Sequence, residues 1–266
     1  MMGAMARYTH GHHESVLRSH RWRTAENSVA YLLSHLRPEH TLLDVGAGPG
    51  TITADLGQRV ARVTALEATA EALALSRATL AERGVDADFV VGDVLALDFA
   101  DASFDVVHAH QVLQHVADPV RALREMRRVC RPGGLVAVRD ADYAAFSWAP
   151  GSPVLDGWLA LYRRLARING GEPDAGRHLL AWAHASGAVD VEPSASVWCF
   201  ATPADRTWWG GLWADRLLES AFGQQARSDG LATAAELDAM ATAFRDWAEH
   251  PDGWFLVPHG ELIIRT

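Results

Sequence analysis

The sequence predicts a doubly wound α/β domain with a mostly parallel sheet, and three observations predict it. Short β-type runs alternate with helical patterns over the first half of the chain. A glycine-rich turn, Gly46-Ala47-Gly48-Pro49-Gly50, follows the first of those runs directly. Acidic residues then close the next two, Glu67 at the end of one and Gly92-Asp93 after the other. A chain of 266 residues buries one sizeable core. We therefore expect a single domain, 1–266, with 24–143, 175–202 and 251–266 as its core. Residues 144–174 and 203–250 are expected as cap insertions, and 1–23 as a lid.

The elements are justified in order. Val29, Leu32, Leu33 and Leu36 recur at helical spacing from Thr24 onward, and Pro38 ends the run. Strands are expected at Thr41 to Val45, Arg62 to Glu67, Asp88 to Val91, Asp105 to Ala109 and Leu135 to Arg139. Thr69 suits an N-cap for a helix released at Gly84, and Asp118-Pro119 suits an N-cap and N1 pair. Leu123, Met126 and Val129 then face one side, and Arg131-Pro132-Gly133-Gly134 turns the chain into the fifth strand. Beyond Asp140 helices are expected at Val154 to Ile168, Arg177 to Ser186 and Arg206 to Trp247. Ser196 to Ala201 reads as extended, and Trp254 to Arg265 as a closing strand or hairpin.

Composition excludes several functions. All 24 basic residues are arginine, so lysine Schiff-base chemistry and the P-loop are ruled out. A net charge of −9 with no basic run argues against nucleic acid as a partner. No stretch is long and apolar enough to span a bilayer, and Met1 to Glu14 is polar and histidine-rich, so no signal peptide is expected there. Cys130 and Cys199 stand far apart, consistent with a reducing cytoplasm and without zinc spacing. His10, His12, His13 and His20 lack acidic or cysteine companions, so no metal is expected.

The glycine turn lets backbone approach a ligand, although a plain tight turn needs the same residues. A dinucleotide loop, G-x-G-x-x-G, would place glycine at position 51, where this chain has Thr51. The spacing thus disfavours a nicotinamide-dependent oxidoreductase. Glu67, about twenty residues downstream, can accept from ribose hydroxyls or serve as an acid at a helix start. Asp93 can accept from an adenine amino group with Val94 packed on the ring, or merely form a turn.

With these motifs on view, the chain resembles the class I S-adenosylmethionine-dependent methyltransferases, in the branch containing quinone-ring C-methyltransferases and glycine and sarcosine N-methyltransferases. The resemblance runs from Arg21 to Asp140. It rests on L-D-V-G-A-G-P-G, Glu67, G-D-V at Gly92 to Val94, F-D-V-V-H-A-H-Q-V-L-Q-H-V from Phe104 to Val116, and R-P-G-G. It implies a seven-stranded, Rossmann-like sheet with S-adenosylmethionine held by Gly46, Ala47, Gly48, Glu67, Ala68, Asp93 and Val94. His110 and Gln111 are implied beside the methionyl arm, and Tyr8 in a lid. Arg23, within Arg23-Thr24-Ala25-Glu26, is implied at the methionine carboxylate; a solvated arginine at a helix start is the alternative.

Methyl transfer from a sulfonium is an in-line displacement in which a general base is optional. His110, His115, Asp140, Asp142 and Tyr143 are the nearest candidates by position. Eight of the ten tryptophans lie from Trp148 to Trp247, and Trp208, Trp209 and Trp213 are expected at the acceptor. Such a pocket suits a small apolar, aromatic or cationic molecule. A nucleic-acid or protein methyltransferase, or a non-catalytic cofactor-binding module, are the other readings. Oligomeric state is not addressed by the sequence.

Overall fold

The computed structural model describes residues 14–266. Its strands are β1 (Thr41–Val45), β2 (Arg62–Glu67), β3 (Ala87–Val91), β4 (Phe104–His110), β5 (Cys130–Ala141), β6 (Ser147–Ala149), β7 (Asp190–Phe200) and β8 (Trp254–Arg265). The first five pair in parallel in the order β3-β2-β1-β4-β5, and β8 then adds antiparallel to β5. β6 pairs β8 beyond β5 on the same edge, and β7 pairs the other edge of β8 along its length. The expected seven strands are therefore present, and the eighth is the three-residue β6.

Side chains alternate across this sheet with the period of two that a strand imposes. Leu42, Val106 and Ala137 face one way, packing with Leu32, Ile52, Leu56 and Leu80. Leu43, Val107, Val136 and Val138 face the other, packing with Leu123, Met126, Val129 and Leu179. The first face is covered by α3 (Ala30–Leu33), α4 (Thr51–Gly57) and α5 (Ala70–Glu82), and α2 (Ala25–Ser28) packs on α4. The second is covered by α6 (Pro119–Val129) and α8 (Leu179–Ala185). Thr69 and Asp118 cap α5 and α6 through their side chains, at Ala72 N and Arg121 N.

Several expectations need correction. The helix from Thr24 is two single turns separated at Val29, since Val29 leaves helical geometry (φ −136°, ψ 15°). Arg131 to Gly134 lie inside β5 as an irregularity, with Phe104 opposite Cys130 but Val106 opposite Leu135. Arg206 to Trp247 is three helices, α9 (Pro203–Glu219), α10 (Ala221–Ser228) and α11 (Ala234–Glu249). Ser220 ends one helix and caps the next, and Thr233 with Glu236 forms a capping box.

These three helices pack with α7 (Pro153–Ile168) around a separate aromatic cluster over one end of the sheet. Trp158 and Trp213 are fully buried there, 4.5 Å apart and edge to face. α1 (Glu14–Arg21) lies against α9, where Arg18 pairs with Asp215 at 2.8 Å. Among the described residues no helix is long and apolar enough to cross a membrane.

Candidate active site

A cavity of about 880 Å³ opens where the carboxyl ends of β1 to β4 meet the cap. Its sheet side is lined by Gly46, Ala47, Gly48, Glu67, Ala68, Asp93 and Val94. Arg23, His110, Gln111 and His115 add to the wall, and Leu17, Ser19 and His20 of α1 border it. The cap and the segment after β5 contribute Tyr143, Phe146, Trp209, Trp213 and Arg216. Ligands bind at this edge of open α/β sheets because strand ends deliver loops to a common crevice.

Local folding explains the sheet side. Glu67 ends β2 next to the end of β1, and its Oε1 accepts from Gly48 N–H at 2.5 Å. Gly48 O in turn accepts from Ser76 Oγ at 2.6 Å, tying the loop to α5. Gly46 has φ +71°, and a Cβ there would meet Val112 Cγ2 at 2.5 Å, so no side chain fits. Gly48, at φ +58°, has only His20 Nδ1 near a notional Cβ, at 3.9 Å, so its bare backbone forms the cavity surface. Asp93 Oδ1 accepts from Leu95 N–H at 2.9 Å, a turn-forming bond that coexists with its place in the wall.

Arg23 is half-buried, its Nη2 donating to Gln111 Oε1 at 2.8 Å. Gln111 adopts a left-handed backbone (φ 55°), uncommon for a residue with a side chain. Its amide nitrogen lies 2.8 Å from His259 Nε2. Burial, with Arg139 and Arg23 nearby, holds His110 and His259 well below the usual imidazole range, so both are neutral. Removal from bulk water, with the Arg23 cation, pulls His115 down to about 3.

Other expected residues lie elsewhere. Asp140 does not line the cavity; it is fully buried, with Oδ1 accepting Gln114 N–H at 3.0 Å, and burial raises it to about 7. Asp142 is also outside the lining and pairs with Arg177 at 2.7 Å. Trp208 faces away from the cavity wall, against Trp22 at 5.3 Å and Phe200 at 5.7 Å, while Trp209 and Trp213 do line it. Helical phase separates adjacent residues by about 100°, so only Trp209 reaches the cavity although both rings pack against Phe200. Tyr8, His10, His12 and His13 lie outside the described residues.

Comparison with known proteins decides the family. A methyltransferase-domain model matches residues 43–138. An uncharacterized methyltransferase of Schizosaccharomyces pombe is 33% identical over 271 residues, covering 97% of this chain and 96% of its own. The chain belongs to the methyltransferase family. A demethylmenaquinone methyltransferase of Beutenbergia cavernae is 35% identical over 140 residues, 52% of this chain and 56% of that one. In fold, the methyltransferase is similar to a phosphoethanolamine N-methyltransferase of Haemonchus contortus solved with S-adenosylhomocysteine. That likeness has a TM-score of 0.55 at 15% identity, over 89% of this chain and 52% of that one.

The cofactor of this methyltransferase is S-adenosylmethionine. The residues present fit it, since the bare glycine backbone adjoins the Glu67 carboxylate in the cavity wall. Sequence reasoning missed Arg216, His259 and a buried ion pair, Arg139 with Glu261 at 3.0 Å, which backs the Gln111 wall. Ser196 Oγ donates to Glu261 Oε1 and accepts from Arg139, and Ser194 Oγ donates to Glu261 Oε2. The available signal was a charge within the apolar runs of β5 and β8.

Proposed function

We propose that the methyltransferase acts on a small, largely apolar or aromatic acceptor held in the cap part of the cavity. The observation that carries this reading is continuity. One cavity joins the glycine loop and Glu67 to a wall of Tyr143, Phe146, Trp209 and Trp213. Tyr143 stacks on Phe146 at 4.4 Å and on Tyr162 at 4.2 Å, and Trp209 stacks on Phe200 at 4.3 Å, giving rigid apolar surfaces. A net charge of −9 disfavours a polyanion.

When bound, S-adenosylmethionine supplies a methyl group already activated on a sulfonium. In this reading Glu67 accepts from the ribose hydroxyls, Asp93 accepts from the adenine amino group and Val94 packs on the ring. Arg23, which also donates to Gln111, grips the methionine carboxylate through its guanidinium fork. His110 and Gln111 border the methionyl arm, and neutral histidines there add no charge to repel a sulfonium. The aromatic wall aligns the acceptor and excludes water, which is most of what an in-line displacement requires.

The test is a release assay for demethylated cofactor over a panel of small aromatic and quinone-like metabolites, tRNA and peptides, repeated with Trp209→Ala. We expect turnover with small molecules, and a loss of acceptor affinity in the variant exceeding any loss of cofactor affinity. Methylation confined to tRNA or peptides would contradict the reading, as would equal losses for acceptor and cofactor.

A further inference from the structure

His259 of β8 is 1% exposed and lies behind the cavity wall rather than in it. In register it sits between Ala141 of β5 and Ser196 of β7, so pairing on both sides fixes its backbone. Its ring meets Trp198 edge-on at 4.3 Å, which holds the imidazole plane. Nε2 then faces the Gln111 side-chain amide at 2.8 Å. Backbone pairing makes the sheet here whatever ring stands at this position, so the nitrogen is the property that calls for histidine.

The hydrogen-bond chain has one consistent direction. Arginine can only donate, so Arg23 Nη2 at 2.8 Å fixes Gln111 Oε1 as its acceptor and turns the Gln111 NH₂ group toward His259. That NH₂ group can only donate, so His259 Nε2 accepts and the ring proton sits on Nδ1. The neutral form agrees with the burial, and with the nearby Arg139 and Arg23, that hold His259 well below the usual imidazole range. Gln111 is bound at its backbone as well, its N–H donating to Arg139 O at 2.7 Å. A left-handed φ of 55° is unfavourable for a residue with a side chain and persists only where its surroundings over-determine it. Those two bonds do so, and they aim the Gln111 carbonyl at Arg23. Trp198 joins the same set from β7. The Arg23 guanidinium carbon stands 5.6 Å over its ring, and its Nε1 donates to the backbone oxygen of Asn27, in the capping box that follows Arg23.

We propose that His259 is a positioning residue for the cofactor: by accepting from the Gln111 amide it holds Gln111 Oε1 where it orients the Arg23 guanidinium toward the methionine carboxylate. The inference rests on the reading that Arg23 grips that carboxylate. It gives the last strand of the chain a part in binding the amino-acid end of the cofactor, without contact to it.

Calorimetric titration of the full chain with two probes tests this. S-adenosylhomocysteine carries the amino-acid end that Arg23 meets, and 5′-methylthioadenosine has the same adenosine and thioether without it. His259→Phe keeps an aromatic ring and removes the accepting nitrogen. We expect it to weaken S-adenosylhomocysteine about tenfold and 5′-methylthioadenosine less than about twofold. His259→Gln, whose side-chain oxygen reaches the position of Nε2, should restore most of that affinity, and His259→Asn, whose oxygen reaches only that of Nδ1, should not. Added to Arg23→Ala, His259→Phe should deepen the loss by less than about twofold, because both act through one contact. Equal losses of the two probes, unchanged S-adenosylhomocysteine affinity in His259→Phe, or fully additive losses would overturn the proposal. If His259→Phe does not fold, the Gln and Asn variants decide alone, and the same ratio of the two affinities in both would overturn it. An unchanged ratio in Arg23→Ala would instead defeat the reading beneath it.

Discussion

Glu67 is the residue on which the sheet side of the cavity turns, because its carboxylate both fixes the glycine loop and borders the cavity. Replacing it with alanine removes a charged acceptor from polar ligand groups, and Arg23→Ala removes a charged donor. Each variant should weaken S-adenosylhomocysteine binding by about tenfold or more in calorimetry while the protein stays folded. Unchanged affinity in both would remove these two residues from the cofactor site. Asp140 gives a second test at this scale. Burial raises it from 3.8 to about 7, so the folded state holds a proton that the unfolded state releases. Its stabilising share is complete below the ordinary carboxylate range and is lost as pH rises through about 7. Asp140→Asn keeps the oxygen that accepts Gln114 N–H, so denaturant unfolding should show the variant gaining on the parent between pH 4 and 7, by at most about 1.4 kcal/mol per pH unit. A difference that stays constant with pH would contradict the assignment.

Residues that belong to local patterns were legible in the sequence, and those brought in by tertiary contact were not. Gly46, Gly48, Glu67 and Asp93 follow successive strands, so the strand–turn–helix rhythm alone places them at one edge. Arg216, Glu261 and His259 reach the site from the last quarter of the chain, through helix packing and an antiparallel pairing without a motif.

Among elements, the parallel strands were the most readable: β1 and β2 run over the expected residues because apolar runs there end at turn-forming glycine or an acidic residue. The stretch from Arg206 is helical as expected and divides into three helices, and Thr233 with Glu236 is a readable N-terminal signal for the last. Two interactions between elements should differ sharply in weight. Arg139 and Glu261 join β5 to β8 with 0% and 6% side-chain exposure, and breaking a buried pair strands a charge, at a cost of about 3–5 kcal/mol. Arg18 and Asp215 join α1 to α9 at 41% and 36% exposure, where an ion pair contributes about 1 kcal/mol or less. Urea unfolding of Glu261→Ala and Asp215→Ala should reproduce that order, and comparable losses would refute it.

For the whole molecule, the sheet edge and the aromatic cap border one continuous cavity, which in the proposed reading takes cofactor and acceptor together. The parallel strands and the glycine spacing were legible from sequence, because both rest on period and turn chemistry. The cap's path was less so, since tryptophans that pack a cluster and tryptophans that line a cavity look alike in sequence. The central claim is that this cavity takes S-adenosylmethionine rather than a dinucleotide, and thermal unfolding with added ligands tests it most directly. At a hundredfold excess over Kd, S-adenosylhomocysteine should stabilise the fold by about 2.7 kcal/mol and raise Tm by about 5 °C or more, with NAD and NADP leaving Tm unchanged. A shift with NAD or NADP and none with S-adenosylhomocysteine would contradict it.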